Sequence, residues 1–300
     1  MNNLVLKHMH QWLMIKYPYN MEKKFSIDID NSINSGQVFL WERHGTSWYG
    51  IDGQDILKIN QNGAIKSILN SKTNFFRKND NIQEIIKSIS KDKTVKKAVK
   101  EYEGLRIFKQ EPFQCMISFI ISSNSNIQKI KSSLEKITKK FGKKITIENK
   151  DFFLFPEPEK IAKASIDEIK ACGVGYRAPF IKEAAKMVVS KKINFEYLEK
   201  CDYQEAKKNI CLVPGIGNKV ADCIMLFSLN KLEAFPLDTW IIKILEKYYS
   251  NEFKIETKTI TIKQYDMLHE KIVNYFGPYC GYAQQFLFKM EREMYGKKWL

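Results

Sequence analysis

Long apolar segments are missing from this sequence of 300 residues, and their absence limits the partners it can have. None of its apolar runs approaches the roughly 20 residues that a membrane-spanning helix requires. Residues 1–19 mix Lys, His, Gln and Asn with apolar residues, which is not the pattern of a secretory signal peptide. We therefore expect a protein that has no membrane partner.

Closely spaced metal-binding side chains are absent as well. The six cysteines form no C-x-x-C pair, and no histidine lies at zinc-ligand spacing from them. They are Cys115, Cys172, Cys201, Cys211, Cys223 and Cys280. Most of these thiols are expected to fill apolar space, and the sequence predicts that the protein needs no cofactor.

Arginine is scarce in a chain that is otherwise strongly basic. The formal net charge is +15 and the isoelectric point is about 9.3, which suits a polyanionic partner. Lysine is a mobile point charge suited to phosphate, whereas the planar fork of arginine suits base edges. We therefore expect binding to DNA with strong salt dependence and little sequence preference, and a cytoplasmic location in association with the nucleoid. The arginines are Arg43, Arg77, Arg106, Arg177 and Arg292.

Two periodicities divide the chain. From about 24 to 76, short alternating runs are separated by glycine and asparagine, which predicts an antiparallel sheet with tight turns. The predicted strands are 25–29, 38–41, 47–51 and 56–59, and the predicted turn residues are Gly45, Gly50, Gly53 and the pair Asn62-Gly63. From about Ile82 onward a helical period predicts roughly ten helices. The predicted class is α+β, with an N-terminal sheet domain at 1–108 and a helical body at 109–300.

The most informative segment is 212–222, which reads Leu-Val-Pro-Gly-Ile-Gly-Asn-Lys-Val-Ala-Asp between two helical patterns. Gly215 and Gly217 let backbone N–H groups approach a phosphate, because glycine lacks a Cβ and tolerates positive φ. The helix that follows aims the positive end of its dipole at the same anion. Lys219, on its first turn, can meet a sugar flipped out beside the bound strand. The segment predicts a helix-hairpin-helix near 205–230.

A carboxylate follows nineteen residues after this lysine, in the segment Ala-Phe-Pro-Leu-Asp-Thr-Trp at 234–240. Asp238 can face Lys219, or it can cap the helix predicted after it, since aspartate is a favoured N-cap. The two roles are compatible. Many helix-hairpin-helix modules bind DNA without chemistry, and the lysine then contacts only phosphate. The lysine and the aspartate together favour catalysis over that alternative.

These motifs resemble the helix-hairpin-helix glycosylase superfamily, and specifically the 8-oxoguanine DNA glycosylases. The resemblance extends from about 25 to 289 in five ordered blocks around the hairpin. The blocks are 34–41, 110–113, 119–127, 173–178 and 276–288. The Ser-Gly-Gln-x-Phe sequence of the first block points to the 8-oxoguanine branch.

Related glycosylases of the endonuclease III and adenine-mismatch types end in four closely spaced cysteines that hold an iron–sulfur cluster. This chain lacks that array, so we expect no iron–sulfur cluster.

The resemblance implies a bifunctional glycosylase and AP lyase. A base inside a duplex hides its sugar C1′, so the enzyme must evert 8-oxoguanine from double-stranded DNA. Lys219 would attack C1′, and the resulting imine with the opened sugar would permit β-elimination. The attacking amine must be neutral, and both the helix N-terminus and desolvation disfavour its ammonium form. Asp238 would stabilise oxocarbenium-like charge. We expect the protein to act as a monomer.

The same resemblance implies a base pocket. Phe288 and Cys223 would enclose the flipped purine, and Gln284 would read its Watson–Crick edge. The Gly36 carbonyl would accept the N7–H of 8-oxoguanine. Guanine has a lone pair there, which would leave the carbonyl unsatisfied at a cost of about 1–3 kcal/mol. From the residues alone, Gly36 also fits an ordinary turn. Gln284 and Phe288 also fit an amphipathic C-terminal helix near 278–295.

Contacts with the surrounding DNA follow from the resemblance too. Asn124 would face the orphaned cytosine, Tyr176 would wedge into the helix, and Arg177 would contact the cytosine. Animal enzymes carry a second arginine where Lys129 stands and a histidine where Trp240 stands. One charged donor cannot reproduce a bidentate contact, so we expect weaker discrimination for cytosine opposite the lesion. A monovalent cation is further implied at the backbone carbonyls of Cys211, Val213 and Ile216.

Two alternatives to this function stay open from the sequence. One is an alkylated-base glycosylase of the same superfamily, whose members typically rely on the aspartate and lack the lysine. Lys219 counts against it. The other is the non-catalytic DNA-binding module.

Overall fold

A computed structural model describes residues 27–59, 65–69, 74–255 and 260–296. Within these residues a four-stranded antiparallel sheet is followed by a mostly helical body, so the predicted α+β class is confirmed. Residues 1–26 and the predicted turn at Asn62-Gly63 lie outside the described residues. No helix in the described ranges is long and apolar enough to cross a bilayer.

The strands of the N-terminal sheet follow the order of the chain. They are β1 (Trp41–His44), β2 (Ser47–Asp52), β3 (Asp55–Ile59) and β4 (Ile65–Ser67), each antiparallel to the next. Gly50 of β2 pairs with Trp41 of β1 and with Leu57 of β3. A Cβ at position 50 would lie 2.1 Å from the indole of Trp41. Gly50 is therefore a packing residue inside a strand, and its predicted place in a turn is wrong.

The apolar alternation identified the two central strands and missed the start of the sheet. The strands predicted at 47–51 and 56–59 are confirmed by β2 and β3. The strand predicted at 38–41 is wrong except at its last residue, where β1 begins. The run at 25–29 leads into a short helix, α1 (Ile29–Ile33), because Asp28 caps it by accepting a backbone N–H at 2.8 Å.

Thirteen further α-helices follow within the described residues, where the sequence predicted roughly ten. They are α2 (Ile82–Ile89), α3 (Lys93–Glu101), α4 (Pro112–Ser122), α5 (Ile127–Phe141), α6 (Pro158–Lys163), α7 (Ile166–Ile169), α8 (Ala178–Val189), α9 (Phe195–Lys200), α10 (Tyr203–Ile210), α11 (Asn218–Ser228), α12 (Thr239–Tyr248), α13 (Ile262–Phe276) and α14 (Cys280–Met294). The additional helices α6, α7 and α9 are no longer than 6 residues. Segments this short show no apolar period, so the sequence did not reveal them.

The helical body also contains a β-hairpin that was not predicted. Strand β5 (Lys144–Ile147) pairs with β6 (Lys150–Phe153) through a two-residue turn. The turn residues Glu148 and Asn149 have φ values of +51° and +61°. Glycine usually marks such turns, so the Glu-Asn pair carried no recognisable turn signal.

A central helix connects the sheet to the rest of the body. Nine of the 11 residues of α4 are buried. Its Phe119 stacks on Phe227 of α11 with ring centroids 5.4 Å apart, and its Gln114 donates to the Ile51 carbonyl of β2 at 2.7 Å. At the other end of the chain, α14 packs against α2 and α3. The region predicted as a sheet domain at 1–108 therefore ends in helices that the last helix covers.

Candidate active site and nucleic-acid interface

A helix-hairpin-helix occupies the predicted position, with α10 and α11 joined by 211–217. Gly215 has a φ of +85°, and a Cβ there would lie 2.6 Å from the ring of Phe180. Only glycine fits that turn. At Gly217, the N-cap of α11, a Cβ would meet nothing within 4 Å, and no side chain caps the helix. The first N–H groups of α11 therefore face an open surface that can receive an anion.

Lys219 and Asp238 line one cleft of about 760 Å³. Lys219 belongs to the first turn of α11, and Asp238 immediately precedes α12. The Asp238 carboxylate accepts the N–H groups of Trp240 and Ile241 at 3.0 and 2.8 Å. Asp238 therefore caps α12 and lines the cleft at the same time. Its two predicted roles, as helix cap and as a cleft carboxylate, are compatible.

Burial and charge together set the ionisation of this carboxylate. Burial raises the pKa of Asp238. The positive charge of Lys219, the two backbone N–H groups and Arg292 oppose that rise without cancelling it. The Lys219 Nζ also lies 5.6 Å from the centroid of the Phe119 ring. The amine thus has an aromatic face beside it and shares the cleft with a carboxylate that holds a proton more readily than an ordinary aspartate.

Cys223 lies one turn after Lys219 on α11, and its side chain is buried. Burial raises the pKa of Cys223 to about 12, although the nearby charge of Lys219 opposes the rise. The thiol is therefore neutral at neutral pH and behaves as a small, soft apolar group. Its predicted contact with a base stays a prediction.

The other predicted pocket residues belong to two separate parts of the chain. Gly36, whose φ is +81°, and Phe288 both line the cleft. Gln284 is buried one turn before Phe288 on α14, and its Oε1 has no hydrogen-bond partner among the described residues. Buried polar atoms are normally paired. This oxygen is therefore an acceptor that an N–H group of a ligand could satisfy.

Two residues of α14 that were not predicted hold the loop around Gly36. Gln285 donates through Nε2 to the Ser35 carbonyl at 2.6 Å, and Lys289 donates through Nζ to the Asn34 carbonyl at 3.0 Å. Both side chains are buried. These bonds fix the Gly36 loop against the helix that carries the predicted base-reading residues.

Gln37 holds the same loop through further hydrogen bonds. Its amide donates to the Arg106 carbonyl at 2.8 Å and accepts the N–H of Phe108 at 2.7 Å. Gln110 donates to the Gln37 carbonyl at 2.7 Å, and its own N–H reaches the Phe227 carbonyl at the end of α11. The loop is thereby tied to α11 as well as to α14.

A buried tyrosine fixes the peptide just before Asp238. Tyr265 accepts the N–H of Leu237 at 3.2 Å and donates to the Asp222 carboxylate at 2.5 Å. Tyr203 donates to the other carboxylate oxygen at 2.7 Å. Because Asp222 lies on α11, the segment that ends in Asp238 is tied to the helix that carries the candidate nucleophile.

The arrangement agrees with the comparison to known families. Residues 19–116 match the family described as "8-oxoguanine DNA glycosylase, N-terminal domain". Residues 117–267 match "HhH-GPD superfamily base excision DNA repair protein". The chain belongs to the HhH-GPD superfamily. The junction between the two matches falls within α4, a few residues after the boundary predicted at 108/109.

Individual relatives of this HhH-GPD protein cover both parts of the chain. The N-glycosylase/DNA lyase OGG1 of Arabidopsis thaliana is 28% identical over 276 residues, which cover 86% of this chain and 75% of the relative. A probable N-glycosylase/DNA lyase of Methanothermobacter thermautotrophicus is 28% identical over 221 residues, or 67% of this chain and 68% of the relative. The crystal structure of Clostridium acetobutylicum 8-oxoguanine glycosylase/lyase, in complex with dsDNA containing cytosine opposite to 8-oxoG, has a TM-score of 0.80 and 31% identity. That match covers 90% of this chain and 93% of the other.

The residues predicted to contact the opposite strand differ in their exposure in this HhH-GPD protein. Asn124 lines the cleft with a φ of +49°, and Tyr176 is 60% exposed. Arg177 is buried instead, and its guanidinium donates to the carbonyls of Ser123 and, at 3.1 Å, Asn124. The predicted contact between Arg177 and cytosine stays a prediction. Lys129 is exposed on the first turn of α5.

Trp240 lines the cleft from the first turn of α12. Its indole contacts an arginine that was not predicted as a site residue. The Arg292 guanidinium of α14 lies 4.7 Å from the Trp240 ring centroid and lines the same cleft. Nothing in the local sequence marks Arg292, because its neighbours on α14 are charged residues typical of a solvated helix end.

No group of three or more His, Cys, Asp or Glu side chains within the described ranges could hold a metal ion. At the hairpin, the Val213 carbonyl accepts the N–H of Ile216 at 3.1 Å. The turn at 211–217 offers backbone oxygens and contains no acidic side chain. Such donors suit a hard cation of low charge.

Proposed function

We propose that this protein is a bifunctional DNA glycosylase and AP lyase of base excision repair that removes 8-oxoguanine from duplex DNA. The observation that carries the proposal is the shared cleft, which Lys219 and Asp238 line together with Gly36 and Phe288. The relatives named N-glycosylase/DNA lyase and 8-oxoguanine glycosylase/lyase support the substrate class.

The proposed reaction uses Lys219 as the nucleophile. Its neutral amine attacks C1′ of the everted nucleotide, the C1′–N9 bond breaks, and the base leaves with the bonding electrons and takes up a proton. The nitrogen loses a proton and the sugar ring opens, which gives an imine between Lys219 and C1′. Loss of a proton from C2′ then breaks the C3′–O bond by β-elimination and nicks the strand. The Asp238 carboxylate stabilises the positive charge that develops at the sugar.

The proposed base recognition uses both sides of the cleft. The Gly36 carbonyl accepts the N7–H that distinguishes 8-oxoguanine from guanine. The Gln284 Oε1, which lacks a partner among the described residues, accepts an N–H group from the Watson–Crick edge. Phe288 and the neutral thiol of Cys223 enclose the ring between them.

The proposed grip on DNA comes from the hairpin and its surroundings. The open N–H groups of α11 bind a phosphate of double-stranded DNA, and Tyr176 fills the gap that the everted nucleotide leaves. The carbonyls of Cys211, Val213 and Ile216 would hold a monovalent cation that offsets phosphate charge. We further propose that the protein acts as a monomer in the cytoplasm beside the nucleoid, and that it requires no cofactor and holds no iron–sulfur cluster.

Borohydride trapping tests the proposal, because only an imine between the protein and the sugar is reduced to a stable covalent adduct. The wild-type protein should form an adduct with a duplex that contains 8-oxoguanine, and Lys219→Gln should form none. Circular dichroism of Lys219→Gln serves as the control for folding.

Two other outcomes would contradict the proposal. Release of an alkylated base without any adduct would assign the protein to the alkylated-base glycosylases. Binding of DNA with neither base release nor adduct, from an 8-oxoguanine duplex and from an abasic duplex, would make it a non-catalytic DNA-binding module.

A further inference from the structure

A cationic cluster surrounds the indole of Trp240 beside the candidate catalytic pair. The Arg292 guanidinium carbon lies 4.7 Å from the ring centroid, and the Lys243 Nζ lies 5.6 Å from it. Tyr295 meets the same indole edge-on, with ring centroids 5.5 Å apart. We call Trp240, Lys243, Arg292 and Tyr295 the Trp240 cluster. Its arginine and its indole both line the cleft.

The other four arginines of the chain are held elsewhere. Arg43 pairs with Asp30 at 3.9 Å, and Arg77 pairs with Asp80 at 2.6 Å. Arg106 is buried and donates to a backbone carbonyl, as Arg177 does. Arg292 is the arginine that lines the cleft where the chemistry is proposed. The negative charge of the nearby Asp238 carboxylate acts on its guanidinium.

The order of side chains along α14 indicates what Arg292 binds. Gln284, Phe288 and Arg292 follow at intervals of four residues, which places them on one face of the helix. Gln284 is buried, while the other two are partly exposed at the cleft. Positions 284 and 292 are separated by about 12 Å along the helix axis, at roughly 1.5 Å per residue. That span is comparable to the reach from the edge of a purine to its own phosphate.

The chemistry of the cluster favours a phosphate at its outer end. A guanidinium is a planar fork of donors that matches a phosphate through two parallel hydrogen bonds. The face of an indole attracts and orients such a cation. The start of α12 adds no further positive charge, because the Asp238 carboxylate already caps it. An anion that approaches the Trp240 cluster therefore meets the guanidinium in the orientation that the indole sets.

We propose that Arg292, stacked on Trp240, binds the phosphodiester that adjoins the everted nucleotide. This inference rests on the proposed function, since it needs a nucleotide in the cleft. With the purine edge held at Gln284 and the phosphate held at Arg292, the intervening sugar is presented to Lys219. Arg292 would thus bind substrate directly and set the position of C1′ for attack.

The test measures coupling between Arg292 and single phosphates in the Lys219→Gln background, where substrate is bound and not consumed. The probes are a duplex that contains 8-oxoguanine and the same duplex with one neutral methylphosphonate, placed either 5′ or 3′ to the lesion. Arg292→Gln should weaken binding to the unmodified duplex about tenfold. It should also reduce the dependence of log Kd on log salt by about 0.9, the value for one phosphate contact.

The methylphosphonate supplies the decisive comparison. At one of the two positions, the methylphosphonate should weaken binding by the Lys219→Gln protein about tenfold. At that position it should have little further effect on the protein that also carries Arg292→Gln. Arg292→Lys, which keeps the charge and loses the fork, should give an intermediate loss. Arg43→Gln removes the same charge from β1 and should change affinity less than twofold at either position.

The outcomes separate this inference from the proposed function. The phosphate contact is refuted if, at both positions, the methylphosphonate weakens DNA binding by the same factor with and without Arg292→Gln. Borohydride trapping with Lys219 intact reports on the proposed function by itself. An adduct from Arg292→Gln on an abasic duplex shows that the variant folds and that the chemistry stands even if the coupling is absent.

Discussion

The two sides of the cleft are built differently. On the lesion side, which comprises the Gly36 loop, α11, α12 and α14, buried side chains fix each element to another. Gln285 and Lys289 bind the loop carbonyls, and Tyr265 joins the Asp238 segment to α11. On the opposite-strand side, Tyr176 is exposed and Arg177 is folded back onto carbonyls of its own protein.

This difference indicates where binding energy goes. A site that is already in its bound geometry loses little conformational entropy when a ligand arrives. In the proposed roles, the lesion side is held in this way, whereas most donors of Arg177 on the opposite-strand side already bond carbonyls of the protein. We therefore expect strict selection of the damaged base and lax selection of its partner.

The largest effect is expected from Asp238, at the centre of the lesion side. Asp238→Asn keeps a good helix cap and removes the carboxylate, so single-turnover excision should fall at least about a hundredfold. Stability at neutral pH should not fall, because the pKa of Asp238 is raised in the folded protein. Asp238→Ala should lose activity and also about 0.5–2 kcal/mol of stability, since it removes the cap. Excision kinetics and urea denaturation separate the two roles.

The pH dependence of the same variant provides its control. The carboxylate stabilises positive charge only when ionised, so the acid limb of the excision rate should lie above the ordinary aspartate pKa of about 3.9. A raised folded pKa means that this group favours folding at low pH, and the contribution is lost as pH rises through that pKa. Asp238→Asn should show no such loss. Near-normal excision by Asp238→Asn would remove the carboxylate from the mechanism.

A smaller effect is expected when the Gly36 loop is loosened. Gln285→Leu keeps the volume and removes the donor to Ser35, which leaves a buried carbonyl unsatisfied at about 1–3 kcal/mol of stability. The preference for 8-oxoguanine over guanine, measured as a ratio of kcat/KM values, should fall about tenfold. Trapping of a preformed abasic duplex should not change, because no base is read there. An unchanged preference would show that the anchor does not position Gly36.

The smallest effect is expected from the base opposite the lesion. Excision rates from duplexes with C, A, G or T at that position should differ by less than about tenfold, because one good bidentate contact is worth roughly 1–3 kcal/mol and Lys129 cannot make it. Lys129→Arg should raise the preference for cytosine several-fold. A strong preference for cytosine in the wild-type protein would contradict the contrast between the two sides.

The sequence was most informative where a short motif determines local geometry. The Pro-Gly-x-Gly turn predicted the hairpin, the start of α11 and the position of Lys219 on its first turn. The aspartate before a helical run predicted the cap at Asp238. The runs at β2 and β3 also predicted strands, and both faces of this part of the sheet are covered. Ile51 and Ile56 pack in the main core, whereas Leu57 and Ile59 pack in a second cluster.

Other features could not be predicted because they depend on distant parts of the chain. Gln285 and Lys289 look like solvated positions on a helix, and their partners lie about 250 residues earlier. Arg292 lines the cleft because α14 packs beside α12. The helix α1 and the hairpin β5–β6 depend on one capping bond and one unusual turn, which short apolar runs do not encode.

The burial of Cys223 has a consequence for its reactivity toward oxidants. Oxidants attack the thiolate form of cysteine. Burial raises the pKa of Cys223 to about 12, so its thiolate form is rarer at neutral pH than that of an ordinary cysteine. We therefore expect the Cys223 thiol to stay reduced beside Lys219 under the oxidising conditions that produce 8-oxoguanine, the proposed substrate.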